Sequence, residues 1–161
     1  MFMRNILDEC NLCPRNCSVN RNNGEIGFCK AGSELVIAKY YLHQWEEPCI
    51  TGKFGSGTIF FSYCNLRCLF CQNYKISTLN YGICISVEKF SEICLELQER
   101  GATNINLVTP THYVPLIIEG IKLAKSSGLK IPIVYNSSGY ENVNTIKMLE
   151  GIIDVYLPDF K

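Results

Sequence analysis

The chain has 161 residues, enough for one ordinary hydrophobic core with a small appendage. Hydrophobic residues make up 47% and charged residues 19%, which excludes a disordered chain. Fifteen basic residues balance fifteen acidic ones, so bulk charge gives no reason to expect nucleic acid or an anionic membrane as a partner. The amino-terminal stretch Met1 to Glu9 has no continuous apolar core of a secretory signal, and apolar runs such as Leu35 to Ala38 are far too short to span a bilayer. Ten cysteines without an export signal read as metal ligands rather than disulfides, which predicts a cytoplasmic protein in a reducing, low-oxygen setting.

Two regions are expected: a Cys-rich segment over 1–50 and the main α/β region over 51–161. In the first, Cys10-x2-Cys13-x3-Cys17 is followed by Cys29. Pro14, Asn22, Gly24, Gly27 and Gly32 make this segment loop-rich. Four thiolates in about twenty residues can close a tetrahedral zinc site or bind an iron–sulfur cluster, and ligand softness does not choose between them. Unligated thiols are the third reading. Leu35 to Leu42 is β-branched and aromatic and reads as a strand. His43 beside Glu46 and Glu47 could suggest acid–base or metal chemistry, but His43 to Cys49 reads rather as a solvated turn with a packed Trp45. Gly52 to Gly57 is no phosphate loop, since it precedes a strand and lacks the terminal Gly-Lys-Ser/Thr; it reads as a flexible lead-in to a strand over 58–63.

That strand delivers Cys64-x3-Cys68-x2-Cys71. Thiolates so closely spaced on a tight loop can converge on one centre. Zinc sites and ordinary iron–sulfur clusters generally use four protein ligands. A [4Fe–4S] cluster held by three leaves one iron open to an exogenous ligand.

Beyond the loop the pattern becomes regular. A helix is predicted over 87–100, with Ser86 as N-cap, Val87, Phe90, Cys94 and Leu97 on one face, and Gly101 at the C′ position. Cys94 is therefore assigned to the core, and Cys84 is left unassigned. A strand over 105–108 ends in Thr109-Pro110-Thr111-His112, and a helix over 113–127 closes at Gly128. A strand over 131–135 ends in Asn136 to Tyr140. A helix over 142–150 presents Val143, Ile146 and Leu149 on one side, and a strand over 153–157 ends in Pro158 to Lys161. Alternating strands and helices predict βαβ units and a parallel sheet, with ligands bound beyond the carboxyl ends of the strands.

The cysteine spacing, with Phe70 just before the last cysteine, resembles the signature of the radical S-adenosylmethionine (SAM) superfamily. Across nearly its whole length the chain resembles radical SAM proteins related to pyruvate formate-lyase activating enzyme. Cys10-Asn-Leu-Cys13-Pro-Arg-Asn-Cys17, His43-x-Trp45-Glu-Glu-Pro-Cys49, Gly55-Ser-Gly57-Thr-Ile-Phe-Phe, Cys64 to Asn73, Val108 to His112, Asn136 to Gly139 and Leu157 to Lys161 carry this resemblance. It implies a partial or full (β/α) barrel with SAM across the strand ends. It also implies a [4Fe–4S] cluster on Cys64, Cys68 and Cys71, with Phe70 and Asn73 beside SAM. Thr109, Thr111 and His112 stand where the family bears a Gly-Gly-Glu-like turn. Asn136, Ser137 and Ser138 stand where activating enzymes carry Asp-Thr-Asn, and Asn136 in place of Asp weakens any cation site there. Asp159-x-Lys161 resembles the family's Asp-x-Lys.

The implied reaction is reductive cleavage of SAM to a 5′-deoxyadenosyl radical, followed by hydrogen abstraction. The implied partners are a glycyl radical enzyme and an electron donor such as flavodoxin or ferredoxin. The alternatives are radical modification of another protein or small molecule, or a non-catalytic metal-binding or electron-transfer module. The family core needs more βα units than the four here, so a truncated or split enzyme completed by a second chain is expected.

Overall fold

The protein is described here from a computed structural model over residues 4–159. Met1, Phe2, Met3, Phe160 and Lys161 lie outside the described residues, and with them Lys161 of the Asp-x-Lys motif and the start of the amino-terminal stretch. The segment before the sheet is loop-rich, as expected, with two short 3-10 turns at Arg4–Asp8 and Arg21–Asn23.

The described residues form an α/β fold on one six-stranded mixed sheet. The strands are β1 (Leu35–His43), β2 (Ser56–Phe61), β3 (Ile83–Ile85), β4 (Ile105–Val108), β5 (Ile133–Ser137) and β6 (Val155–Pro158), in the order β3-β1-β2-β4-β5-β6. β2, β4, β5 and β6 are parallel, as the βα alternation predicts. β1 runs antiparallel to both β2 and β3, which adds an antiparallel edge that the sequence pattern did not announce. β3 has only three residues, with Ile83 and Cys84 exposed, so no apolar alternation marks it.

The α-helices are α1 (Pro48–Thr51), α2 (Tyr74–Ser77), α3 (Val87–Glu99), α4 (Val114–Ser126) and α5 (Val143–Met148). Ser86 caps α3 as predicted, its hydroxyl accepting from the Lys89 N–H. Pro115 stands in the first turn of α4, where a missing N–H costs nothing. Among the described residues no helix is long and apolar enough to cross a membrane.

Three expectations are corrected. Gly57 is not part of a flexible lead-in. It lies inside β2, where a Cβ would stand 2.9 Å from both the Ala102 Cβ and the Asn104 carbonyl oxygen, so close approach demands glycine. Trp45 is not packed but 89% exposed. Val143 lies on the open side of α5, and Thr145 and Leu149 take the buried positions.

The core fills the space between the sheet and the pair α3 and α4. Ile59, Phe61 and Leu107 meet Phe90, Cys94 and Leu97 of α3 and Ile117 and Ile121 of α4. Cys94 is fully buried in it, as assigned. Each such large side chain contributes about 1.5–3 kcal/mol by leaving water.

The two helices approach closely at Gly120, where a Cβ would press into the Phe90 ring. Gly120→Ala gains about 1 kcal/mol of helix propensity. Overpacking a well-filled core costs about 1–3 kcal/mol, and Phe90 is fully buried against Phe61 and cannot retreat. The clash therefore wins, and Gly120→Ala is expected to lower the urea midpoint; an unchanged or raised midpoint would show that the α3–α4 contact has slack.

Candidate functional site

One large cleft, about 670 Å³, opens at the carboxyl ends of the parallel strands. Cys64, Cys68 and Cys71 all line it. Their loop leaves β2 through left-handed backbone at Tyr63 (φ 71°) and turns again at Arg67 (φ 55°). It is closed by the Cys71 N–H to the Cys68 carbonyl at 3.1 Å and by the Tyr63 N–H to the Ile76 carbonyl at 3.0 Å. Between the first two cysteines, Asn65 is 1% exposed and pins the loop from below. Its side-chain amide donates to the Tyr140 carbonyl at 2.8 Å, and its backbone carbonyl accepts from Arg15 Nε at 3.2 Å.

Burial pushes the Cys64 thiol above its ordinary range, opposed by the Arg67 and Leu66 N–H groups and reinforced by Cys68 and Cys71. The Leu66 N–H lies 3.4 Å from the Cys64 sulfur, and the Ser77 hydroxyl donates to the Cys71 sulfur at 3.5 Å. Among the described residues no group of three or more Cys, His, Asp or Glu side chains stands ready to hold a metal ion. The three cysteine side chains are partly exposed on this irregular loop, and binding one metal centre in common would require them to turn toward one another. Three soft donors facing one cleft suit an iron–sulfur cluster by ligand chemistry.

The strand ends contribute the polar rim. Thr109 follows β4 in a left-handed conformation (φ 58°), Asn136 and Ser137 end β5, Ser138 follows them, and Asp159 follows β6. All five line the cleft, as do Phe70, which is 81% exposed, and Asn73 ahead of α2. The Ser138 hydroxyl is buried with no hydrogen-bond partner among the described residues.

Thr111 and His112 depart from expectation. Pro110 opens a 3-10 turn over Thr111–Tyr113 that carries both side chains away from the cleft and into the interior. The Thr111 hydroxyl donates to Glu141 Oε1 at 2.7 Å and accepts from Tyr135. His112 donates from Nε2 to the Ser62 carbonyl at 2.8 Å, while its Nδ1 is buried without a partner. Both residues instead border a small cavity lined by Cys10, Cys13, Cys17 and Cys29.

On the opposite wall of the cleft, His43, Trp45 and Glu46 were assigned to a solvated turn from the sequence, and Lys39 and Tyr41 were given no role in a site. Lys39, Tyr41 and His43 alternate along β1 toward the cleft, followed by Trp45 and Glu46, with His43 Nδ1 3.1 Å from Glu46 Oε1. The period-two spacing of the β1 residues was the available signal. Cys84 lies outside the cleft, on the exposed edge strand, and donates to Glu34 at 3.3 Å.

No known protein family and no solved structure matches the chain. Over 167 aligned positions it is 34% identical to an uncharacterized protein of Methanocaldococcus jannaschii. The alignment takes in 98% of this chain and 47% of that protein, so the chain spans about half the length of its curated relative.

His112 gives a pH signature. Burial drives its pKa from 6.5 down to about 3, against the Ser62 hydrogen bond, and the Arg21 charge lowers it further. The unfolded chain binds this proton near pH 6.5 and the folded chain does not, so the stabilisation is complete above 6.5 and declines as pH falls toward 3. The slope is on the order of 1.4 kcal/mol per pH unit. Urea midpoints between pH 7 and 4 should fall less steeply for His112→Gln, which keeps a donor for Ser62; equal slopes would remove His112 as the cause.

Proposed function

We propose that the protein is a radical SAM enzyme related to pyruvate formate-lyase activating enzyme, and that this chain forms the amino-terminal part of its (β/α) barrel. The observation that carries the reading is convergence: the three cysteines of one loop and the polar ends of three further strands border the same cleft. The strand order supports the barrel. From β2 through β4 and β5 to β6 each new parallel strand adds on the same side, with no switch point. The greater length of the Methanocaldococcus jannaschii protein leaves room for further βα units in a relative.

In this reading Cys64, Cys68 and Cys71 would hold a [4Fe–4S] cluster and would leave one iron without a protein ligand, open to SAM. When bound, the two cofactors supply reductive cleavage of SAM to a 5′-deoxyadenosyl radical for hydrogen abstraction. The protein's own part is to bind and orient. Ser138 offers its unpartnered hydroxyl to SAM, with Asn136 and Ser137 beside it. Phe70 offers an exposed ring at the adenine end. Asn136 brings no negative charge, which leaves Asp159 as the acid at that end of the cleft.

The proposed substrate is a glycine in the backbone of a partner glycyl radical enzyme, with flavodoxin or ferredoxin as electron donor. The exposed Trp45 on the cleft wall suits a protein segment. Anaerobic reconstitution should load about four irons and four sulfides per chain on this loop, in keeping with a [4Fe–4S] cluster. Dithionite and SAM should then yield 5′-deoxyadenosine, and Cys68→Ala should abolish both cluster and product. A Cys68→Ala chain that keeps its cluster, or a loaded chain indifferent to SAM, would overturn the assignment.

A further inference from the structure

The geometry points to a second, structural metal centre: one zinc ion bound by Cys10, Cys13, Cys17 and Cys29. This inference is independent of the cluster at Cys64 to Cys71.

The four thiols line one cavity of about 20 Å³. A single water-sized centre needs about 10–15 Å³, so the space between the loops as they stand suits one ion. The backbone around it is folded for convergence. Cys10 and Ser18 clamp the first loop, with the Cys10 N–H bonded to the Val19 carbonyl at 3.0 Å and the Ser18 N–H to the Cys10 carbonyl at 3.1 Å. Asn16, Ser18 and Lys30 adopt left-handed backbone beside the cysteines. The second loop closes on the first at Gly27, where a Cβ would meet Cys17 Cβ and Sγ at 3.0 Å. The Phe28 N–H lies 3.4 Å from the Cys17 sulfur.

Arg21 supplies the electrostatic argument. It is 1% exposed and takes part in none of the ion pairs among the described residues. Its guanidinium donates to the Gly32 carbonyl, to the His112 carbonyl at 2.6 Å and to the Cys10 sulfur at 3.8 Å, and lies 5.9 Å from the Tyr113 ring centroid. Arginine stays protonated, and a buried charge without a counter-charge is strongly unfavourable. The cavity it adjoins is lined by the four cysteines and by no carboxylate. Protonated thiols leave the guanidinium uncompensated. Four thiolates on Zn²⁺ carry a net double negative charge, which Arg21 and Arg15, the two arginines that line the cavity, offset. As zinc enters, the four thiol protons leave to solvent and the sulfurs, not yet gathered as a metal-holding group, draw inward.

The centre would brace the cleft. Arg21 reaches the His112 backbone, Arg15 reaches Asn65 in the Cys64–Cys71 loop, and the Thr145 hydroxyl of α5 donates to the Leu12 carbonyl at 2.8 Å. The metal-bound segment thus ties the cysteine loop to α5.

The test uses two preparations: a Cys64→Ala, Cys68→Ala, Cys71→Ala triple variant offered zinc, iron and sulfide, and the wild-type chain prepared without iron or sulfide. Both should hold one zinc per chain and no acid-labile sulfide, and cobalt in its place should give the absorption of a tetrahedral thiolate site. Cys13→Ser should lose the ion. Arg21→Met should weaken zinc binding by about ten- to a hundredfold, with partial recovery in Arg21→Lys. Iron and sulfide retained by the triple variant, thiols that titrate free or as disulfides with zinc supplied, or unchanged zinc affinity in Arg21→Met would each overturn the proposal. The wild-type preparation keeps the test intact if the triple variant does not fold.

Discussion

The parallel pairing of β2 with β4 is the constraint on which the site depends. Gly57 to Phe60 run in register with Ile105 to Val108, so the two strands end together. The loop carrying Cys64 therefore leaves the sheet beside Thr109. The same ladder continues from β4 to β5 and from β5 to β6, which brings Asn136 and Asp159 to that edge. Backbone hydrogen bonds set these positions, and side chains act only where the ladder leaves them. Gly57 shows how narrow the tolerance is, since even a methyl group there would collide with the backbone that follows α3.

Below the cleft a frame of buried polar groups replaces regular structure. Arg21, Asn65 and His112 are each nearly inaccessible, and each bridges segments far apart in sequence. A buried polar group is costly unless partnered, so these residues are informative about what must stay together. Their bonds link the cysteine-rich amino-terminal segment, the turn after β4 and the loop after β2. The two cysteine groups are thus mechanically connected, although their sulfurs line different cavities.

The sequence was most legible where one local rule dominates. The period of Val87, Phe90, Cys94 and Leu97 with the Ser86 cap marked α3, and the βα alternation marked the parallel strands. The spacing of Cys64, Cys68 and Cys71 singled out three cysteines that line one large cleft. It was least legible where tertiary packing decides. β3 exists because β1 offers it an edge, not through any pattern in its three residues. Thr111 and His112 looked like rim residues from their place after a strand, but the turn begun at Pro110 redirects them inward. Arg21 gave no signal at all, because an arginine in a polar loop is ordinarily solvated. Its burial becomes visible only when the cysteine-rich loops wrap around it.

We propose that the Cys64 to Cys71 loop would hold a cluster with one iron open to SAM within this cleft. The most direct measurement is the electron paramagnetic resonance spectrum of the anaerobically reconstituted, dithionite-reduced chain with and without SAM. Direct ligation of that iron predicts a clear change in the g-values when SAM is added. A reduced cluster whose spectrum is identical with and without SAM would contradict the account.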